Sequence, residues 1–200
     1  MASKGEIRQR ALRARRSLSQ EELAGLSEMV ERNLVSMPEF KNAGTIATYV
    51  SKGDEVRTNS VIERAWGLGK RVVVPRVENS KRLRFFQVNS WDEFSPGSFG
   101  VLEPTQREAP AAEAVPLNAC DAVLVPLVAW DERGNRVGYG KGFFDAELRS
   151  ATSPTSIGLG LEVQRVEAVP VDRWDAPLDM IVTEARVLRF KTGPSSKASR

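Results

Sequence analysis

The run Asp121-Ala122-Val123-Leu124-Val125-Pro126-Leu127-Val128 has no charged or hydrogen-bonding side chain after its first residue. A strand with one wet face alternates apolar and polar residues, so an unbroken apolar run reads as a strand covered on both faces. Such strands occupy the middle of parallel sheets with helices on either side. The segments before it agree. Thr45-Ile46-Ala47-Thr48-Tyr49-Val50 is β-rich, the polar turn Ser51-Lys52-Gly53-Asp54-Glu55 follows, and a helix through Val61, Ile62 and Ala65 leads to the strand Arg71-Val72-Val73-Val74-Pro75. Strand, crossover helix and strand make a parallel βαβ unit. Leu83 to Val88, after the turn Glu78-Asn79-Ser80-Lys81, is expected to pair as a hairpin arm, and Ser156 to Leu161 and Met180 to Thr183 supply later strands. The expected fold is α/β: a single three-layer α/β/α domain with a mainly parallel central sheet over residues 1–190. Residues 191–200 have little to bury and are expected to form a disordered tail.

Helical spacing of Ile7, Ala11, Ala14 and Leu18 predicts a first helix. Lys4, Arg8 and Arg15 fall in a narrow stripe beside that apolar face. They read either as the cationic edge of a cleft or as a solvated basic face. Ser19-Gln20-Glu21-Glu22 is a capping box, which starts a second helix expected to run to about Ser36, stopped by Pro38. Ser90-Trp91-Asp92-Glu93 caps a short helical turn ended by Pro96-Gly97. Gly100 to Asn118, interrupted by Pro104, Pro110 and Pro116, reads as a loop across the surface.

Histidine is absent. That removes Ser-His-Asp and Cys-His nucleophiles, histidine-ligated zinc and imidazole acid–base chemistry near neutral pH. The net charge of +3 is unevenly spread. Residues 1–16 carry six cations against Glu6, residues 191–200 add +3, and the remainder is therefore −5. An acidic body argues against nucleic acid as a partner. No apolar run approaches the roughly 20 residues of a membrane span, and no apolar stretch follows the basic N-terminus as a secretory signal requires, so the expected location is cytoplasmic with no membrane partner. The lone Cys120 opens an apolar run and reads as structural.

In open α/β sheets ligands bind beyond the carboxyl ends of the strands. The segment after the apolar run carries Gly138, Gly140 and Gly142 in alternation before a helix-like stretch from Phe143 to Leu148. Glycines there let backbone amides approach an anion closely, together with the free N–H groups of the helix start. Lys141 and Arg136 add positive charge. It is not a Walker A loop, because five residues separate Gly134 from Gly140 and Gly142 follows Lys141 where Ser or Thr belongs. It is not the dinucleotide fingerprint either, since the glycines run G-x-G-x-G. Asp145, just after the aromatic pair Phe143-Phe144, stands where a carboxylate beside a phosphate cradle commonly holds Mg²⁺.

These residues resemble the signature of the 5-formyltetrahydrofolate cyclo-ligases over Val125 to Asp131 and Gly134 to Asp145. Lys4-x-x-x-Arg8, Tyr49-Val50-Ser51 leading to Glu55-Val56-x-Thr58, Gly100-Val101-Leu102-Glu103-Pro104 and Trp174-Asp175-x-Pro177-x-Asp179 are similar to further elements of that family. The resemblance implies a NagB/RpiA/CoA-transferase-like sheet in a monomeric ligase. It implies that ATP and Mg²⁺ are used to close 5-formyltetrahydrofolate, with or without a polyglutamate tail, to 5,10-methenyltetrahydrofolate through a phosphorylated formyl (iminophosphate) intermediate, releasing ADP and phosphate. It assigns Lys4, Arg8, Arg136, Gly138, Tyr139, Gly140, Lys141, Gly142, Phe143 and Phe144 to the nucleotide. Val50, Glu55, Tyr139, Gly140, Lys141, Gly142 and Phe143 go to the folate, and Asp145 and Asp175 to the metal. Arg136, Tyr139 and Lys141 are the implied catalytic residues. Phe143-Phe144 stands where many members have Tyr-Tyr, Trp174 where they often have His, and Lys141 where bacterial members often have Gly. The alternatives are a non-catalytic nucleotide- or folate-binding homologue, a nucleic-acid module using the first helix, and another enzyme on the same sheet, such as a sugar-phosphate isomerase or CoA-transferase relative.

Overall fold

The computed structural model describes residues 2–78, 82–105 and 114–190. In chain order the elements are α1 (Lys4–Arg16), α2 (Gln20–Ser36), α3 (Pro38–Lys41), β1 (Thr45–Ala47), α4 (Asn59–Gly67), β2 (Arg71–Glu78), β3 (Arg82–Val88), β4 (Phe94–Pro96), β5 (Leu102–Pro104), β6 (Ala122–Pro126), β7 (Ala129–Trp130), β8 (Arg136–Val137), α5 (Phe143–Ser150), β9 (Thr155–Leu159), β10 (Met180–Val182) and β11 (Val187–Arg189). Seven strands form the central sheet in the order β11-β10-β9-β6-β1-β2-β3. The five inner strands are mutually parallel, and β3 and β11 run antiparallel at the two edges.

The apolar run therefore lies at the centre of the sheet. Its alternate residues serve opposite layers: Ala122 and Leu124 pack with Leu34, Phe40, Ile46 and Ile62 under α2, α3 and α4, while Val123 and Val125 pack with Val73, Leu148 and Ile181 under α5. A third apolar patch joins Ile7 and Ala11 of α1 to Val128, Ala129 and Val137 of the β7–β8 hairpin, and to Val166 and Val169. Among the described residues, no helix is long and apolar enough to cross a membrane. Cys120 is buried, and burial pushes its thiol up to about 11, which keeps it protonated and inert.

The Ser19–Glu22 box caps α2 as the spacing predicts, and Pro38 then opens α3 at its first turn. Four expectations change. Ala14 is only half-buried, and Arg15 joins Ile7 and Ala11 on the buried face of α1. The strand expected over Thr45 to Val50 ends at Ala47, because Thr58 takes over the following backbone: its Oγ1 donates to the Tyr49 carbonyl at 2.8 Å and accepts from the Ser51 amide at 3.0 Å. Pro96-Gly97 does not simply end a helical turn. Phe94–Pro96 pairs with Leu102–Pro104 in a small hairpin, and a Cβ on Gly97 would come within 2.4 Å of the Glu103 side chain. The surface loop expected from Gly100 to Asn118 thus contains a strand, and it also sends Val115 into the core beside Phe85. The turn residues 79–81, Pro110 and the tail 191–200 lie outside the described residues.

With no exposed surface and cover on both faces, Leu124 is the residue whose truncation tests this core. Leu124→Ala is expected to destabilise the fold by about 2–5 kcal/mol in urea or guanidinium unfolding, through a cavity that neither layer fills.

Candidate functional site

A cavity of about 800 Å³ opens beyond the carboxyl ends of β1 and β6. Tyr49 and Val50 reach it because the chain leaves the sheet after β1. Pro126 ends β6 at its floor, and the glycine turn 138–142 forms one wall. Lys4 and Arg8 enter from α1, Phe99, Leu102 and Glu103 from the β4–β5 hairpin and its turn, and Trp174 and Asp175 from the segment before β10. Every residue that the resemblance assigns to a ligand lines this cavity: Lys4, Arg8, Val50, Glu55, Arg136, Gly138, Tyr139, Gly140, Lys141, Gly142, Phe143, Phe144, Asp145 and Asp175.

The glycine turn is open to solvent at Gly140 and Gly142, both with left-handed backbone, φ +98° and +69°. Gly142 sits at the N-cap of α5 with no side-chain cap, so the first amides of that helix have no competing side chain. The Arg8 Nε donates to the Gly138 carbonyl at 2.8 Å, and its guanidinium lies 3.3 Å from where a Gly140 Cβ would be. Gly134, by contrast, has a structural task. Its φ is +85°, and a Cβ there would meet the Phe190 ring and the Leu178 carbonyl. Asp131 is likewise structural: fully buried, it accepts from the amides of Arg133, Asn135 and Val169 and so pins the β7–β8 turn.

Several charged groups of the cleft are paired. Lys4 Nζ donates to Asp175 Oδ2 at 2.5 Å and to Asp172 Oδ2 at 2.7 Å. Burial alone would lower the Lys4 ammonium, but the two carboxylates outweigh it and hold its pKa above the usual value. Arg136 is buried, with Nη1 donating to the Ala176 carbonyl and Nη2 to Asp145 Oδ1 at 2.9 Å. Burial lowers its pKa against the pull of Asp145 and Asp175. Asp145 Oδ1 also accepts from the Ala176 amide at 3.1 Å, and Asp175 Oδ2 from the Asp172 amide at 2.7 Å.

On the opposite side the Glu55 carboxyl accepts from the Lys52 amide at 2.8 Å. Burial raises its pKa, opposed by that amide, by Tyr139 and by Arg15. The Tyr139 phenol is pushed up to about 12 by burial and then by Glu55, although Arg15 pulls it down. Lys141 lies 5.8 Å from the centre of the Phe99 ring, and Arg173 4.6 Å from that of the exposed Trp174. Phe144 meets Phe85 edge-on at 6.4 Å.

Sequence reasoning missed Asp54, Phe99 and Asp172. Asp54 looked like one more polar turn residue. Phe99 is the single non-glycine residue with positive φ among those described, at 56°, and nothing local in the sequence marks it. Asp172 has a signal of a kind, an acid three residues before Asp175 in a Pro-rich stretch, but its meeting with Lys4 is purely tertiary.

These features define an α/β domain with a ligand cleft at the carboxyl ends of its parallel strands, walled by fixed cations and glycine amides. The model of the 5-formyltetrahydrofolate cyclo-ligase family matches residues 1–184. The chain is 32% identical over 187 residues to the 5-formyltetrahydrofolate cyclo-ligase of Escherichia coli K12, covering 90% of this chain and 98% of that one. It is 30% identical over 182 residues to the Haemophilus influenzae enzyme of the same name, covering 88% and 96%. Its fold superimposes on the solution structure of Aquifex aeolicus 5,10-methenyltetrahydrofolate synthetase with a TM-score of 0.83 and 35% identity, over 95% of this chain and 94% of the other. The chain belongs to the 5-formyltetrahydrofolate cyclo-ligase family, a family of ligases.

Because the half-buried Glu55 binds a proton more readily in the folded chain than in the unfolded one, its ionised form opposes folding above its raised pKa. Glu55→Gln is expected to raise the thermal unfolding midpoint at pH 7. That gain should shrink as the pH falls through the raised Glu55 pKa and vanish below the unfolded carboxyl range, as calorimetry across pH 4–8 would reveal.

Proposed function

We propose that this chain closes 5-formyltetrahydrofolate to 5,10-methenyltetrahydrofolate, consuming ATP with Mg²⁺ and releasing ADP and phosphate. The observation that carries the reading is the convergence on one cavity of residues drawn from positions 4 to 175, each of which the family resemblance assigns to a ligand. A folate and a nucleotide must lie in contact for such a reaction, and a cleft of about 800 Å³ lined by several cations, glycine amides and the half-buried Glu55 suits that pair.

The formyl oxygen of the substrate is a poor leaving group. Transfer of the γ-phosphoryl group forms a P–O bond to it and frees ADP. The N10 nitrogen of the same molecule then forms a C–N bond to the formyl carbon, loses its proton, and the C–O bond breaks to release phosphate. Such chemistry asks for positioning and charge neutralisation, which a chain without histidine can supply. Arg8 and the amides of Gly140 and Gly142 would hold phosphate oxygens, and Lys4 and Lys141 would offset their charge. Arg136, fixed by Ala176 and Asp145, sets a buried positive charge behind them. Glu55 would accept hydrogen bonds from the donor edge of the pterin, with Val50 against its ring and Tyr139 and Phe143 closing the contact.

Asp145 and Asp175 fit a hard cation. Each has one oxygen held by protein donors, and the other has no hydrogen-bond partner among the described residues. Mg²⁺ takes one or two carboxylates in such sites and completes its shell with phosphates and water. Bound there, Mg²⁺ would draw charge from the phosphoryl oxygens during transfer. On this reading the chain works as a monomer in the cytoplasm, a setting that the buried unpaired cysteine suits.

The test is a spectrophotometric cyclisation assay. The wild-type chain is expected to convert 5-formyltetrahydrofolate in an ATP- and Mg²⁺-dependent way, and Asp145→Asn to lose at least about 100-fold in rate. Equal rates would remove Asp145 from the metal site, and no methenyl absorbance from the wild type would overturn the function.

A further inference from the structure

Five charged side chains are buried among the described residues. Arg15, Glu31 and Arg136 are held in ion pairs, and Asp131 accepts from three backbone amides. Glu103 of β5 has neither kind of support. It is 8% exposed, and its one hydrogen-bond donor among those residues is the Val77 amide, 3.5 Å from Oε1 and at the limit of a hydrogen bond. Its other oxygen, Oε2, has no partner among them. Taking a carboxylate from water without a cation or good donors is costly, so one kept at a cavity wall points to a ligand that completes it.

That wall belongs to the ligand cavity, which Glu103 lines. Its seat is reserved, because a Cβ on Gly97 of the same hairpin would come within 2.4 Å of the Glu103 side chain. The turn of the hairpin reaches both sides of the cleft. Lys52, whose amide holds Glu55, donates from Nζ to the Phe99 carbonyl, and Lys141 of the glycine turn lies 5.8 Å from the centre of the Phe99 ring. The element that carries Glu103 therefore spans the border between the side assigned to the folate and the side assigned to the nucleotide. Lysines and arginines outnumber carboxylates on the cavity wall by seven to five. Three of the five, Asp54, Asp145 and Asp175, are paired with Arg15, Arg136 and Lys4, and Glu55 accepts from the Lys52 amide. Such a wall suits phosphates and opposes any positive charge that arises on a ligand. Glu103 is the exception.

The reaction proposed above creates such a charge. N10 bonds to the formyl carbon and gives up its proton to the phosphate oxygens. The C–O bond then breaks, its electron pair leaves with hydrogen phosphate, and the N5–C–N10 bridge keeps one positive charge shared by the two nitrogens. The substrate is neutral at these atoms and the product is cationic. We propose that Glu103 is a catalytic residue: its carboxylate faces that bridge and offsets the positive charge as phosphate departs, an interaction stronger in the transition state than in the bound substrate. The bridge as its partner rests on the function proposed above; the preference of this carboxylate for a cationic ligand does not.

Calorimetry on the full-length chain at pH 6 compares two ligands that differ by this charge, 5-formyltetrahydrofolate and 5,10-methenyltetrahydrofolate. Glu103→Gln is expected to bind the methenyl compound about tenfold more weakly, and the formyl compound within about twofold of wild type. In the cyclisation assay its kcat is expected to fall at least about tenfold, with KM for 5-formyltetrahydrofolate and for ATP little changed. Glu103→Asp keeps the charge on a shorter arm and is expected to fall between the two. Should Glu103→Gln not fold, the same ratio of affinities in Glu103→Asp decides. Equal weakening of both folates overturns the proposal, since it marks a role in shape alone. An unchanged kcat also overturns it, as does a raised ATP KM alone, which gives the carboxylate to the nucleotide's hydroxyls. A wild type whose methenyl affinity depends on Glu103 but which forms no methenyl product upholds the cation contact and overturns the proposed function instead; one that binds neither folate overturns both.

Discussion

The structure depends on a strand whose first four residues, Ala122 to Val125, meet no water. Because β6 is covered on both faces, its side chains are all committed to packing, and only its two ends are available for anything else. At the amino end Asp121 Oδ2 accepts from the Gly44 and Thr45 amides at 2.8 Å each, which sets β1 alongside in register. At the carboxyl end the Leu127 carbonyl accepts from both Arg15 and Gln164, and the chain departs into the β7–β8 hairpin and the glycine turn. The cleft lies at that end because there the backbone can leave the sheet without abandoning core contacts.

The cleft's charges follow from the same geometry. Three cations on or near its walls, Lys4, Arg15 and Arg136, each hold at least one protein carboxylate. Buried charges persist in proteins when they are paired and hydrogen-bonded, and these are. The pairing also keeps α1 and the segment around Asp172–Asp175 against the glycine turn, so the walls are held in place by charges facing the cavity as well as by the apolar contacts of Ile7 and Ala11 beneath.

Much of this was legible in the sequence wherever a local rule sufficed. The unbroken apolar run placed β6, the βαβ pattern paired β1 with β2, the Ser19–Glu22 box started α2, and the alternating glycines marked the turn that faces the cavity. A box of the same kind, Ser3 with Glu6, caps α1 and was equally available. The rest was tertiary. Arg15 had the period of the cationic stripe, yet it is Asp54, Leu127 and Tyr139, 39, 112 and 124 residues away, that draw it inside. The residues after Ala47 have strand propensity, and a single threonine hydroxyl diverts them. Phe94–Pro96 and Leu102–Pro104 are too short for a pattern, and they pair across a turn where Gly97 makes room for the Glu103 side chain.

Lys4 meets Asp172 and Asp175 across 168 and 171 residues of chain. Contacts that distant form late, since the intervening loop must be closed before they repay it. A nascent chain can therefore lay down the early strands of the sheet while its first helix waits, and the ligand cleft acquires its last wall only once synthesis has passed Asp175.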